Sequence, residues 1–201
     1  FAPIFHMQKG LSMSKVVSSV LSGLEHGRKV FGVRYGLILC SMRNMDHSLE
    51  VAEMAVSFRD RGVVGFDLAG EEIGYPPKRH LEAFLFIQRE NFYSTIHAGE
   101  AFGKESIWQA LQFCGAHRIG HGVRLKDDLF FNERGDVVGM GHLAEYVLNR
   151  LIPLEICLSS NLHTGAVDQL ENHPFRIFFE RKFRVTLNTD NRLMSDTTMS
   201  K

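Results

Sequence analysis

The chain has 201 residues, of which 44% are hydrophobic and 23% charged, the balance of an ordinary globular fold. Lys+Arg and Asp+Glu each number 23, so no overall field recruits nucleic acid or an anionic membrane. No apolar run reaches the roughly 18 residues needed to span a bilayer, and residues 1–6 lack the basic start and long apolar stretch of a secretion signal.

Taken in chain order, residues 1–5 read as the tail of a strand already under way. Ser14 can cap a helix over 15–24, whose apolar positions 16, 17, 20, 21 and 24 share one face, with Gly27 as its stop. A buried strand follows over 33–40, a helix opens at Asp46 and closes at Gly62, and a short apolar strand over 63–68 ends in Ala69-Gly70. Pro76-Pro77 opens a helix to about Asn91. The unit then repeats as strand 92–97, helix 104–114, strand 117–121, helix 142–150 and strands 153–158 and 183–189. The polar stretch 195–201 reads as a loop entering a further helix. Both ends thus look cut, as in a portion of a longer polypeptide.

Strands alternating with helices of this length indicate βαβ units and a parallel sheet, and near-continuously apolar strands fit burial on both faces. No Gly-rich dinucleotide fingerprint or phosphate-binding G-x-x-x-x-G-K-[ST] loop follows any strand. Functional residue types instead recur at the ends of successive strands, which favours a (β/α)8 TIM barrel over a doubly wound sheet. Six strands are countable, so one or two more are expected outside the segment. A single domain over 1–201 is expected, with no linker or low-complexity tract. Cys40, Cys114 and Cys157 are odd in number and far apart, which points to reduced thiols in a cytoplasmic compartment, with Cys40 and Cys157 buried in apolar runs.

Three strand ends carry the chemistry. His97-Ala98-Gly99-Glu100 places an imidazole at a strand end and a carboxylate three residues on, with small residues between that allow a tight turn and a close substrate. Alone, it also reads as a core histidine followed by a helix-capping acid. His121 lies between Gly120 and Gly122, which are expected to expose its ring. Asp190-Asn191 closes the strand over 183–189, where an aspartate alone reads equally as a helix cap. Two histidines, a glutamate and an aspartate at one barrel mouth are the ingredients of a hydrolytic metal site.

Through most of its length the chain resembles the adenosine deaminase family of the amidohydrolase superfamily. The matching stretches are residues 65–72 (Gly-Phe-Asp-Leu-Ala-Gly-Glu-Glu), 95–100 (Thr-Ile-His-Ala-Gly-Glu), 118–122 (Arg-Ile-Gly-His-Gly), Leu158-Ser159-Ser160-Asn161 with Thr164-Gly165, and 187–190 (Leu-Asn-Thr-Asp). The resemblance implies a TIM-barrel fold and zinc-dependent hydrolysis of adenosine or deoxyadenosine to inosine or deoxyinosine and ammonia, a purine-salvage reaction. Carried over by position, His97 and Asp190 are metal ligands, Asp190 also contacting the attacking water. Glu100 is the acid that protonates purine N1, and His121 orients and helps deprotonate the water. Gly70 is the backbone position that approaches the nucleoside. Glu100 must then be protonated when substrate binds, a form that an apolar surround favours.

Two departures qualify this. The family's His-x-His at the end of its first strand is absent, so one Zn2+ per chain would need its remaining ligands from outside the segment. Many relatives also carry a second aspartate where this chain has Asn191, whose amide can still donate to purine N7. The expected partner is a small-molecule purine nucleoside, with no nucleic acid or membrane, and the expected state is a monomer. The alternatives are a related deaminase acting on adenine or AMP, or a barrel remnant that binds no metal. An AMP-type enzyme needs a cationic cradle for phosphate, and no basic cluster adjoins the site motifs.

Overall fold

The computed structural model describes residues 1–200. Helix α1 (Met13–Phe31) precedes strand β1 (Leu37–Met42), and α2 (Ser48–Ser57) leads to β2 (Val63–Ala69). Helix α3 (Leu81–Arg89) leads to β3 (Thr95–Ala98), and α4 (Lys104–Gln112) to β4 (Arg118–His121). A hairpin, β5 (Leu129–Phe131) and β6 (Val137–Met140), is inserted before α5 (His142–Asn149). Then come β7 (Leu154–Ile156), α6 (Leu158–His163), α7 (Phe175–Glu180) and β8 (Val185–Leu187).

β1 pairs parallel with β2, and β3, β4, β7 and β8 pair parallel in that order. A parallel bridge between Phe66 and Ser94 joins the two groups, with the Phe66 amide donating to the Tyr93 carbonyl at 2.9 Å. The result is one arc of parallel strands in chain order, each separated from the next by helical crossovers. That is the repeating pattern of a (β/α)8 barrel. Because every strand runs the same way, all their C-terminal ends lie on one rim.

The arc holds because its strands are apolar on both faces. Leu39, Phe66, Leu68, Ile96, Ile119 and Leu154 are at 0% exposure, packed with Ala52, Phe84, Ile87, Ile107 and Phe178 from the helices. Burial of each such side chain is worth roughly 1.5–3 kcal/mol. Phe84 meets Phe66 edge-on, with ring centroids 5.3 Å apart, and so ties α3 to β2. Phe84→Ala in the complete protein is expected to cost about 3–5 kcal/mol, read as a lower urea midpoint.

Several boundaries differ from the sequence expectation. The first helix is capped by Ser12, not Ser14: its hydroxyl accepts from the Lys15 amide at 3.3 Å. It runs through Gly27 to a left-handed Gly32. An interior glycine costs a helix only about 1 kcal/mol, and Arg28 and Lys29 in the last turn suit its negative end. Residues 3–6 form a 3-10 turn rather than a strand tail, yet Phe1 still brackets β1. Its amino group donates to the Ile38 carbonyl and its carbonyl accepts from the Cys40 amide, both at 2.9 Å. The β5–β6 hairpin, α6 and α7 were not expected. All three cysteines are buried and unbridged, and no described helix is long and apolar enough to cross a membrane.

Candidate functional site

Side chains from the C-terminal rim converge on His97. Asp67, in β2, is 5% exposed within an otherwise apolar strand. A carboxylate so placed needs a partner, and its two oxygens each lie 3.0 Å from His97 Nδ1. Burial alone would press this imidazole toward neutrality. The Asp67 charge and hydrogen bond overcome that, with Asp190 and Glu100 adding, and lift its pKa to about 9. Burial likewise works against the Asp67 charge, but His97 outweighs it and holds the carboxyl below its usual range. With Nδ1 committed to a carboxylate, Nε2 is the nitrogen of His97 left for a ligand.

β4 packs tightly here. A side chain at Gly120 would put its Cβ 3.1 Å from His97 Cα, so the glycine makes room for the neighbouring strand. It does not expose His121, contrary to expectation: that residue, with a left-handed φ of 63°, is only 2% exposed. Its ring lies 5.1 Å from that of His97, centroid to centroid. Burial and then the His97 charge hold His121 below the usual histidine range, so it is the neutral partner of the pair.

The turn after β3 brings Glu100 back over the site. Gly99 has φ +68°, and a Cβ there would come within 2.5 Å of Ile107 Cδ1, so only glycine fits. The turn is pinned by buried Glu72. Its Oε2 accepts from the Gly99 amide at 2.8 Å, and its Oε1 accepts from the Glu100 and Ala101 amides at 2.8 and 2.9 Å. In Glu72→Gln an NH2 group would face a backbone donor. A loss of about 1–3 kcal/mol is expected, again as a lower urea midpoint.

Glu100 does not sit in an apolar surround. Its Oε1 accepts from Asn161 Nδ2 at 3.0 Å and Thr164 Oγ1 at 2.9 Å, while Oε2 stands 3.5 Å from His121 Nε2, beyond a firm hydrogen bond. Asn161, fully buried in α6, also contacts His121 Nδ1 at 2.9 Å and His173 Nε2 at 3.2 Å.

Asp190 follows β8 with a left-handed φ of 53°, and its Oδ2 accepts from Ser160 Oγ at 2.7 Å. Its charge reaches both His97 and His121. A ligand atom of Asp190 lies within 4.8 Å of one on His121 and one on Cys157. The Cys157 thiol is pushed up to about 12 by burial and then by the Asp190, Glu100 and Glu155 charges, so it stays protonated. The nitrogen and oxygen donors of His97 and Asp190, one oriented by Asp67 and the other by Ser160, suit zinc, whose histidine ligands are commonly held by a carboxylate on their other nitrogen.

Gly70 follows β2 with φ +98°, and a Cβ there would lie 3.0 Å from Met42 Cε. Asn191 is exposed, and its Oδ1 accepts from the Met194 amide at 3.3 Å, leaving Nδ2 for another partner. Thus the structure joins His97, Glu100, His121 and Asp190 through contacts or fields. It places Gly70 directly after β2 and Asn191 in the segment that follows β8, without a hydrogen bond from either to that group.

Sequence reasoning had given no role to Asp67, Glu72, Asn161, Thr164 or His173. Only Asp67 carried a signal, as a carboxylate inside a buried strand. Glu72, Asn161 and Thr164 act across more than 25 residues of chain, and His173 reaches Asn161 across 12, which no spacing rule reaches.

Comparison with known proteins fits this geometry. The chain is 53% identical over 206 residues to adenosine deaminase 1 of Streptomyces coelicolor, covering 100% of this chain and 52% of that protein. It therefore spans about half the length of the relative it matches. Among solved structures, it is similar to adenine deaminase from Arthrobacter aurescens, with TM-score 0.80 and 26% identity over 94% of this chain and 55% of that one. It is also similar to an arabidopsis N6-mAMP deaminase, with TM-score 0.76 and 27% identity over 95% of this chain and 55% of that one. The arc of strands is accordingly part of a TIM barrel of the amidohydrolase type. A family profile described as Adenosine deaminase matches residues 1–201, and with that match and the 53% identity the chain belongs to the adenosine deaminase family.

Proposed function

We propose that the protein is a zinc-dependent hydrolase of purine salvage that converts adenosine or deoxyadenosine to inosine or deoxyinosine, releasing ammonia. The carrying observation is the pairing of a tethered acid, Glu100, with a buried neutral imidazole, His121, beside the His97–Asp67 pair. His97 and Asp190 would hold the metal, together with ligands outside these residues. Zinc in such a site makes water acidic enough to attack near neutral pH.

The chain's own residues divide the remaining work. Glu100, neutral when substrate binds, gives the proton on Oε2 to purine N1, which makes C6 electrophilic. Its Oε1 stays fixed by Asn161 and Thr164, so the acid keeps its aim. His121 orients the attacking water. Asp190, with Oδ2 held by Ser160, has its other oxygen free to take the water's proton. The Gly70 backbone would approach the nucleoside, and Asn191 Nδ2 would donate to purine N7. The 6-amino group takes the proton held on Asp190 and leaves as ammonia, and the new C6 hydroxyl returns a proton to Glu100 as the carbonyl forms.

Adenine or AMP is the competing substrate, since the two similar solved structures are named for adenine and N6-mAMP. Identity of 53% to an adenosine deaminase, against 26% and 27%, favours the nucleoside. The nearby Arg43 offers phosphate little: it is 1% exposed, with its Nη1 and Nη2 donating to the Tyr75 and His97 carbonyls at 2.7 and 2.5 Å.

Zinc-loaded complete protein is expected to deaminate adenosine with kcat/KM at least about 10² above that for adenine or AMP, a discrimination within reach of a site that hydrogen-bonds its substrate. Preference for AMP would move the assignment to a nucleotide deaminase. A protein that holds no metal and turns over none of the three would be a remnant.

A further inference from the structure

The hydrogen bonds behind Glu100 and His121 form a chain in which every proton position follows from one backbone donor. The Phe175 amide can only donate, and it lies 3.0 Å from His173 Nδ1, so that nitrogen accepts. A neutral His173 then carries its proton on Nε2, which donates to Asn161 Oδ1 at 3.2 Å. His173 is indeed held neutral, its pKa pressed to about 4 by burial and then by Lys126 and His121.

With Oδ1 so fixed, both hydrogens of Asn161 Nδ2 point the other way. One meets Glu100 Oε1 at 3.0 Å and the other His121 Nδ1 at 2.9 Å. His121 Nδ1 must therefore accept, and its single proton sits on Nε2, the atom nearest Glu100 Oε2. A flipped Asn161 would set oxygen against Glu100 Oε1 and an NH2 against the His173 donor, which excludes it.

From this network we infer that His173 and Asn161 are positioning residues that lock His121 in its Nε2–H form. In that form His121 can offer the attacking oxygen a hydrogen bond, the water-orienting role given to it above. This rests on the deaminase reading and refines it. The water's proton goes to the Asp190 carboxylate, and His121 Nε2–H stabilises the negative charge that builds on the oxygen as it bonds to C6. His173 touches no reacting atom and works only through Asn161.

The test uses complete, zinc-loaded protein. In Asn161→Asp an acceptor faces His121 Nδ1, which pulls the proton onto that nitrogen and removes the donor from Nε2. A fall in kcat of about 10²–10³ is expected, the range for loss of one such donor, with KM changed less than about threefold and zinc content unchanged. His173→Phe frees Asn161 to flip and is expected to lower kcat about tenfold or more. His173→Gln, whose amide can still donate to Asn161 Oδ1, is expected to recover most of that loss; a core-packing role alone would not distinguish it.

Histidine 15N spectra of the wild-type protein at neutral pH provide a reading independent of turnover. Protonated Nε2 on both His121 and His173 supports the assignment. A proton on His121 Nδ1, or wild-type kcat in Asn161→Asp, overturns it. If the wild-type protein deaminates no aminopurine, the functional reading fails, while the spectra still decide the tautomer.

Discussion

Glu100→Gln in the complete protein is expected to keep its zinc and bind nucleoside, yet lose about 10²–10⁴ of turnover, the usual contribution of a positioned acid. The hydrogen bonds explain why binding should survive. Asn161 Nδ2 and Thr164 Oγ1 both donate to Oε1, so the amide oxygen of glutamine takes that place and its NH2 takes the place of Oε2. The variant can still offer a hydrogen bond to N1 but cannot deliver a proton. KM should therefore move little while kcat collapses, the signature of an interaction made in the transition state alone. Loss of adenosine absorbance measures the rate, and equilibrium binding of inosine measures the site. Deamination within a few-fold of wild type would remove Glu100 from the acid role.

How much of this was readable in the sequence depends on how local each signal is. The six parallel strands and the helices between them follow from runs of Val, Ile, Leu and Phe alternating with amphipathic segments, and these were placed within a few residues. Where glycine was read as a stop, at Gly27, the helix runs on to Gly32, because an interior glycine costs only about 1 kcal/mol and Arg28 pairs with Glu25 across that turn. The β5–β6 hairpin escaped because Phe130 and Val138 face solvent, which blurs the alternation expected of a half-buried strand. Helices α6 and α7 have only six residues each, too short to show a helical period.

At the site, the residues expected to act all stood at strand ends, where parallel strands must converge. The residues that hold them did not. His173 lies 12 positions from Asn161, and Asn161 lies 40 from His121 and 61 from Glu100. Their roles are set by three-dimensional proximity, which composition and periodicity do not encode. Asp67 is intermediate. Its place in an apolar strand demands a buried partner, but only the register of β2 beside β3 makes that partner His97.

That partnership leads to the other large expected effect. On the proposed assignment of His97 as a ligand rather than a group that orients one, His97→Ala should abolish stoichiometric zinc and activity together. The wild-type protein should also show a pH dependence set by Asp67. In metal-free protein His97 titrates near 9, so at neutral pH its Nε2 carries a proton that a metal must displace. Zinc affinity should climb about tenfold per unit from pH 7.5 to 9 and then level off. Ligands with an ordinary histidine pKa of about 6.5 would have finished titrating below that window.

The stability of metal-free protein should run the opposite way. A value raised in the folded state stabilises fully below the unfolded pKa of about 6.5, and the effect is lost as pH rises through about 9. Asp67→Asn removes the charge that lifts His97, so it should flatten both slopes. At pH 9, where the proton no longer competes, it should still bind zinc about 10–100-fold more weakly, as expected for losing the group that orients a ligand. Titration of dialysed protein against a competing chelator at pH 7.5, 8.2 and 9 reads the zinc effects, and urea midpoints of metal-free protein at the same pH values read the stability slope. A wild-type affinity independent of pH across that range, or full zinc in His97→Ala, would mean that His97 is a core histidine paired with Asp67 and not a metal ligand.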